Sequence, residues 1–357
     1  MAEKHHYDFA FIVAKELLKG IDGNFVFSPG GLCRILEILQ AGMDENSAIY
    51  ERVSVLIWGV NSRIEPVDED GFKLEHASSI WYNKLLGSVN EGYTDRLEND
   101  YGAEVCHADF AQRKLVRLMI DRWVSDNTHH MIKSLDSGIS KDALMLVLDA
   151  VYVKGKWEYP FDPDETELDM FYNADGSESE VDMMFQNIEE VEYAETDCCQ
   201  LISLPYRNGV YSMVLVLPKV GEDIENVMVG TDWICQSTGV CEVNLYMPRF
   251  RFDNTLSYGD TLSALGLGDM FGREDSFPKV SDESVHVSQI VQQCVIDVDE
   301  EGTEAAAITV AVLEAGCPPP DDFTEPVTMK LNRPFSFAIK GEFNELLFMG
   351  VVRDLVV

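Results

Sequence analysis

The sequence predicts an α+β fold in a single domain of residues 1–357, and three patterns support this prediction. A nearly unbroken apolar run from Leu144 to Val153 indicates a central strand that is buried on both faces. Residues 303–314 alternate between two faces, as the side chains of a strand do. No linker rich in Gly, Ser or Pro divides the chain. Apolar residues near the amino terminus recur at helical spacing, at Tyr7, Ala10, Phe11, Ala14, Leu17 and Leu18.

The first elements can be placed from their end signals. The amino-terminal helix is expected to end near Gly20, and Asn24 to Phe27 follow as a short strand. Ser28 is a suitable N-cap and Pro29 suits the first helical position, so a second helix is predicted to begin here. Its core-facing residues are Leu32, Ile35, Leu36 and Leu39.

Further strands are predicted in the second half of the chain. Tyr211 to Pro218 forms an apolar run, and Val243, Leu245 and Met247 alternate with other residues before a proline. The segment from Asn332 to Gly350 is typical of a terminal hairpin. Strands and helices are therefore mixed along the chain.

The segment that begins at Glu300 has the pattern of a strand with one uncharged face. That face would carry Thr303, Ala305, Ala307, Thr309, Ala311 and Leu313. The other face would take Glu304, Ala306, Ile308, Val310, Val312 and Glu314. Pro318 to Pro320 cannot donate to a ladder, so the pattern must stop there in an exposed segment. An ordinary edge strand or a helix is the alternative, since Glu-Ala-Ala-Ala also favours helix.

Composition limits the classes of partner. Hydrophobic residues make up 46% of the chain, which is ample for a core, and the formal net charge is −36. Such a charge argues against nucleic acid and anionic membranes as partners. No run approaches the roughly 18 apolar residues of a membrane span, and the first residues lack the apolar core of a signal peptide. A cytoplasmic monomer is expected, or an extracellular one if a signal was removed.

Common catalytic motifs are missing from the sequence. It contains no Gly-x-Ser-x-Gly, no phosphate-binding glycine loop and no His-Glu-x-x-His. His129 and His130 are adjacent, so in a helix they would point about 100° apart and could not share a metal. We therefore expect neither an enzyme nor a metal or other cofactor.

Several motifs together resemble the serpin family of serine protease inhibitors. They run in the family's order over essentially the whole chain, and their combination is highly specific. The resembling segments are Asn24–Leu32, Ile120–Leu135 (the helix across the main sheet), Lys154–Trp157 with Phe161–Pro163, Leu204–Tyr206 with Tyr211–Pro218, Pro248–Phe250, residues 300–309 and Asn332–Gly350.

The resemblance implies a serpin fold with a large central sheet A, two further sheets, about eight or nine helices and an exposed reactive loop within residues 300–325. It also implies suicide inhibition, in which the target serine protease forms a covalent complex and the cleaved loop inserts into sheet A. Gly302 would permit the backbone reversal, and small residues would pass between the parting strands. The implied hinge comprises Glu300, Glu301, Gly302, Thr303, Glu304, Ala305, Ala306, Ala307, Ile308 and Thr309.

The family's spacing places the reactive bond between Gly316 and Cys317. Small residues at the attacked position suit elastase-like or subtilisin-like proteases. The loop is several residues longer than in many relatives, so cleavage after Leu313, Glu314 or Ala315 is the alternative.

The chain departs from the family pattern at three positions of the shutter, the region that must part when the loop inserts. Gly31 replaces a usual serine near Ser28, Asp149 replaces a usual asparagine, and Gln292 replaces a usual histidine. An aspartate in this apolar run must be hydrogen-bonded or protonated, and Gln292 can donate to it. Trp157 is expected where sheet A opens at its top.

Two functional alternatives remain open from the sequence. The short segment between Trp58 and Leu85 leaves little room for a polysaccharide-binding helix, which disfavours heparin as a partner. A non-inhibitory serpin acting as a chaperone or carrier is the first alternative, although the small hinge residues favour inhibition. A cross-class inhibitor of cysteine proteases is the second.

Overall fold

The computed structural model describes residues 2–58, 60, 66–69, 71–134, 138–140, 142–230, 238–272, 276–303, 325–341 and 345–355. These residues contain seven α-helices, with short 3-10 and π turns between some elements. The α-helices are α1 Ala2–Leu18, α2 Pro29–Ala41, α3 Ala48–Leu56, α4 Glu91–Tyr101, α5 Arg113–Asn127, α6 Ile224–Gly230 and α7 Gly259–Leu262.

Sixteen strands accompany the helices in the described residues. The first eight are β1 Phe25–Phe27, β2 Val67–Glu69, β3 Phe72–Asn83, β4 Glu104–Ala108, β5 Met145–Lys156, β6 Glu167–Tyr172, β7 Glu178–Glu195 and β8 Cys199–Pro205. The others are β9 Ser212–Pro218, β10 Gly239–Pro248, β11 Phe250–Ser257, β12 Val287–Val298, β13 Gly302–Thr303, β14 Val327–Lys330, β15 Phe335–Lys340 and β16 Leu346–Val352.

The strands form two sheets. Sheet A has the order β11-β12-β13-β5-β3-β2, with β4 paired to β3. Sheet B has the order β1-β16-β15-β9-β8-β7-β10-β14, with β6 paired to β7. The two further sheets expected beside sheet A are joined into one, because the 18-residue β7 pairs with β10 along most of its length and with β8 at its end.

One strand pairing in sheet A is parallel, whereas most pairings in this sheet are antiparallel. β5 and β12 run parallel, from the pair Met145 and Val287 to the pair Val151 and Cys294. On their outer sides β5 pairs antiparallel with β3 and β12 pairs antiparallel with β11. A strand entering between β5 and β12 antiparallel to both would replace this parallel pairing, which is slightly less stable per residue.

The core lies on both sides of sheet A. One cluster packs α1 and α2 against it, a second lies between the two sheets, and a third packs α5 on the outer face. Ile120 and Trp123 of α5 cover Leu146 and Leu148 in the third cluster.

Most sequence-predicted elements are found, with differences at their ends. The second helix has Ser28 as its N-cap, with the Ser28 hydroxyl accepting from Gly31 N at 3.2 Å. The helix across the sheet begins at Arg113 and ends at Asn127, seven residues before its predicted start and eight before its predicted end. The helix ends there because His129 and His130 adopt left-handed backbone conformations, with φ of 49° and 65°. Between Trp58 and Leu85 the described residues form the β2–β3 hairpin rather than a helix.

Candidate functional site

The hinge enters sheet A at Gly302 and Thr303. These residues form β13, in which Gly302 pairs with Lys156 and Thr303 pairs with Gly155 of β5. On the other side Thr303 pairs with Val298 of β12. Both pairings are antiparallel, so the first two residues of an additional strand already lie at the top of the boundary between β5 and β12.

Two glycines make this entry sterically possible. A Cβ atom on Gly302 would lie 1.9 Å from the carbonyl oxygen of Gly155, which no side chain could tolerate. A Cβ atom on Gly155 would lie 2.6 Å from the ring of Tyr206. The sequence pointed to Gly302, whereas the need for glycine at position 155 arises only because the rings of Tyr206 and Phe72 pack against β5 there.

Thr303 is a buried anchor of the hinge. Its side chain is 1% exposed, and its hydroxyl lies 2.7 Å from the Tyr206 hydroxyl. Burial raises the pKa of Tyr206, so this phenol stays protonated and can donate. Tyr206 stacks on Trp157 with ring centroids 4.9 Å apart, and the Trp157 indole donates to Asp299 O at 3.0 Å. Trp157 therefore lies next to β13, at the end of β5.

An ion pair holds Glu300, two residues before this strand. Glu300 is 5% exposed, and its carboxylate accepts hydrogen bonds at 2.8 Å from Arg249 Nε and at 2.6 Å from the Thr166 hydroxyl. Burial opposes ionisation, but the bonds from Arg249 and Thr166 outweigh it and hold the pKa of Glu300 below its usual range. Sequence reasoning included Glu300 in the hinge but assigned no role to Arg249, although the Pro-Arg-Phe motif around it was a signal.

Asp299 shapes the turn that leads into β13. Its carboxylate accepts from Glu301 N at 2.9 Å and from Gly302 N at 3.2 Å. Burial raises the pKa of Asp299 despite these bonds. The backbone of Trp157 donates to Glu301 O at 2.9 Å, which joins the turn to the end of β5. Side chains from four different segments thus fix the hinge in place as far as Thr303.

The predicted shutter residues also meet in the structure. Gln292 Nε2 donates to Asp149 Oδ2 at 2.9 Å and to Ser28 O at 3.0 Å. Gln292 Oε1 accepts from Ser28 N and from the Tyr258 hydroxyl, both at 2.9 Å. Gln292 therefore connects β12 to β5 and to the start of α2. The expectation that it donates to a buried Asp149 is confirmed.

Sequence reasoning missed the residues on the other side of Asp149. His76 Nε2 lies 2.6 Å from Asp149 Oδ1, and the Ser78 hydroxyl donates to the same oxygen at 3.0 Å. Both residues belong to β3, where Ser78 pairs with Asp149 across the sheet. The Asp149 side chain is fully buried, so these contacts provide the compensation that a buried carboxylate requires.

Gly31 is part of the same arrangement. A Cβ atom on Gly31 would lie 2.3 Å from Asp149 Oδ2 and 2.8 Å from Gln292 Nε2. The usual serine at this position would therefore collide with the carboxylate that this chain carries. Gly31, Asp149 and Gln292 therefore lie directly against one another.

We expect Gly31→Ala to lower the free energy of unfolding by about 2 kcal/mol, as measured by guanidinium denaturation. The added methyl must displace the Asp149 carboxylate, which several hydrogen bonds hold in place, and such overpacking outweighs the helix preference for alanine. Gly259→Ala is the matched control, because its methyl would meet no atom within 4 Å. A Gly31→Ala protein as stable as the wild type would show that the carboxylate is free to move.

The rest of the predicted loop lies outside the described residues. This applies to Glu304, Ala305, Ala306, Ala307, Ile308 and Thr309 of the hinge and to the candidate reactive bond residues Leu313, Glu314, Ala315, Gly316 and Cys317. Among the residues that are described, no group of three His, Cys, Asp or Glu side chains could hold a metal ion. Within the same residues, no helix combines the length and apolar character needed to cross a membrane.

These features define a class of protein whose main sheet includes a two-residue strand, β13, that pairs with both β5 and β12 at one end. The family model described as Serpin (serine protease inhibitor) matches residues 4–355. The chain belongs to the serpin family.

Relatives and solved structures agree with this assignment. A serpin-like protein of Methanosarcina acetivorans is 31% identical over 369 residues, which cover 96% of this chain and 85% of the relative. Antithrombin-III of Homo sapiens is 31% identical over 309 residues, covering 83% of this chain and 65% of antithrombin. The native structure of the thermophilic serpin tengpin superposes with a TM-score of 0.87 at 24% identity, covering 98% of this chain and 93% of tengpin. At 24% identity, the likeness to tengpin shows the fold alone.

Proposed function

We propose that this protein inhibits serine proteases by covalent trapping. The observation that carries the proposal is the position of β13: Gly302 and Thr303 pair antiparallel with β5, and Thr303 also pairs antiparallel with β12. A serine nucleophile of the target attacks the carbonyl of the reactive bond, the amine of the following residue leaves, and an acyl-enzyme forms. The released segment then inserts behind Thr303 and carries the protease along before water can deacylate it.

The register at Thr303 supports a defined insertion path. Continued downward in the same register, Thr309 would reach the level of Asp149 on β5 and Gln292 on β12, which face each other there. Thr309 has the same parity as Thr303 and would present its hydroxyl on the face that holds the shutter. Insertion must break the bond between Gln292 and Asp149, and a hydroxyl between them could bond to either side chain.

The contact that insertion must break, between Gln292 and Asp149, is separate from the contacts that keep Asp149 compensated and the hinge fixed. Asp149 keeps its contacts with His76 and Ser78 on β3 when β12 moves away, so its carboxylate stays compensated. The ion pair of Arg249 and Glu300 lies before the inserting residues and would hold the hinge at its base. Insertion would therefore begin at a fixed point.

The test is an incubation with elastase-like, subtilisin-like, chymotrypsin-like and acid-specific serine proteases and a papain-like cysteine protease, followed by a denaturing gel. We expect a covalent complex, with an elastase-like or subtilisin-like target first. The released carboxyl-terminal fragment, measured by mass spectrometry, should begin at Cys317. A fragment beginning at Glu314 would indicate a chymotrypsin-like target, and one at Ala315 an acid-specific protease.

Other results would contradict parts of this proposal. A complex only with the cysteine protease would indicate cross-class inhibition. Cleavage without any complex would contradict inhibition and favour a chaperone or carrier role. No cofactor takes part in the proposed mechanism, and the proposed complex contains one copy of this chain and one protease.

A further inference from the structure

An open groove of about 350 Å³ lies in sheet B beside the hinge. Three large apolar side chains in its lining are unusually exposed: Tyr159 at 49%, Val210 at 42% and Val240 at 66%. They come from three separate segments, so the fold gathers them at one place. Neither the trapping mechanism nor the core requires them to be exposed there.

The groove has a rigid floor. Tyr211 lines it and stacks on the buried Phe72 with ring centroids 3.9 Å apart. Phe72 in turn packs against Tyr206 at 5.2 Å, and Tyr206 contacts Thr303. A surface held in this way loses little conformational entropy when a partner binds. A line of side-chain contacts thus joins the floor of the groove to the base of the hinge.

The groove lies between the two points where the loop joins the body of the protein. The loop leaves sheet A after Thr303, which contacts Tyr206, and Pro205 next to Tyr206 lines the groove. It rejoins the body before Val327, which pairs in parallel with Val243 on β10. Val240 lies three residues before Val243 on the same strand, about 10 Å away. The groove therefore borders both ends of the loop, where a protease bound to the loop could contact it.

Carboxylates line the same groove. Glu190 and Glu192 are exposed, lie on one face of β7, and have no ion-pair partner among the residues that the structure describes. Glu158 is also exposed, and it donates its backbone N–H to the carbonyl oxygen of Pro205, a residue that lines the groove, at 2.9 Å. The chain's own loop does not suit this surface, because residues 304–324 contain four acidic residues and no lysine or arginine. The groove suits a basic partner with an apolar contact group.

We propose that this groove is a second contact site for the target protease, and that it selects proteases with a basic surface beside their active site. A lysine or arginine of the protease lies between Glu190 and Glu192, and an apolar side chain packs on Tyr159, Val210 and Val240. The proposal rests on the proposed inhibitory function. Opposite charges at the rim of an interface mainly raise the association rate, so the groove acts before the loop is cleaved.

The test uses the full chain and a basic elastase-like serine protease, and it measures the association rate constant of covalent complex formation. In low salt we expect Glu190→Lys/Glu192→Lys to lower this rate about tenfold. The loss should shrink above about 0.2 M salt, where charges farther apart than about 8 Å are screened. Tyr159→Ala should lower the rate at all salt concentrations, because it removes apolar contact.

The control is Asp95→Lys/Glu98→Lys, which makes the same charge change at exposed positions of α4, a helix packed in the core cluster of α1 and α2. Its rate should stay within about twofold of wild type in the same salt series. Equal rates for the groove and control variants would overturn the groove as a contact site. Failure of the wild-type chain to form any covalent complex would instead contradict the inhibitory function, and would remove the partner proposed for the groove.

Discussion

Cleavage of the loop between Val310 and Cys317 is expected to raise the melting temperature by about 20 °C. The released segment would pair with β5 and β12 behind Thr303, adding about ten backbone hydrogen bonds worth about 1 kcal/mol each. In a chain of this size, about 1 kcal/mol shifts the melting temperature by about 2 °C. Replacing the parallel pairing of β5 and β12 by two antiparallel pairings acts in the same direction.

The measurement compares thermal melts of the intact and nicked protein after brief treatment with a promiscuous protease. Mass spectrometry should first establish that the only cut lies between Val310 and Cys317. An unchanged melting curve would contradict insertion and favour the non-inhibitory role. Gel filtration should accompany the melts, because a nicked protein that aggregates could give an apparent shift.

Thr303→Arg is expected to convert the inhibitor into a substrate. Thr303 is 1% exposed and lies against Tyr206, so a guanidinium there would be buried without a charged partner, at a cost of several kcal/mol. The attacked bond is distant along the loop, and acylation should proceed as before. When insertion is slow, water hydrolyses the acyl-enzyme before the loop has inserted. The yield of covalent complex should therefore fall at least tenfold.

The yield is the ratio of covalent complex to cleaved chain on a denaturing gel at equal amounts of protease. Thr303→Ser is the matched control, because it keeps the hydroxyl that faces Tyr206 and should retain most of the complex. Nicked Thr303→Arg should also lack the gain in melting temperature. Complex at wild-type yield from Thr303→Arg would show that the inserted strand has a different register.

The sequence alone determined the family and the burial of the main strand, and it predicted where the hinge lies. These features depend on local patterns, such as the apolar run of β5 and the small residues after Glu300. The residues that create a periodic pattern or a helix-end signal lie within a few positions of one another, so these patterns can be recognised directly in the sequence. The same is true of Ser28 and Pro29 at the start of α2.

Only the tertiary structure decided which side chains contact the predicted hinge and shutter residues. Arg249 reaches Glu300 across 51 positions of sequence, His76 reaches Asp149 across 73, and Gln292 reaches Asp149 across 143. Gly155 must be glycine because the rings of Tyr206 and Phe72 approach it from elsewhere in the chain. Such requirements come from close packing between distant segments, which leave no periodic signal in the sequence.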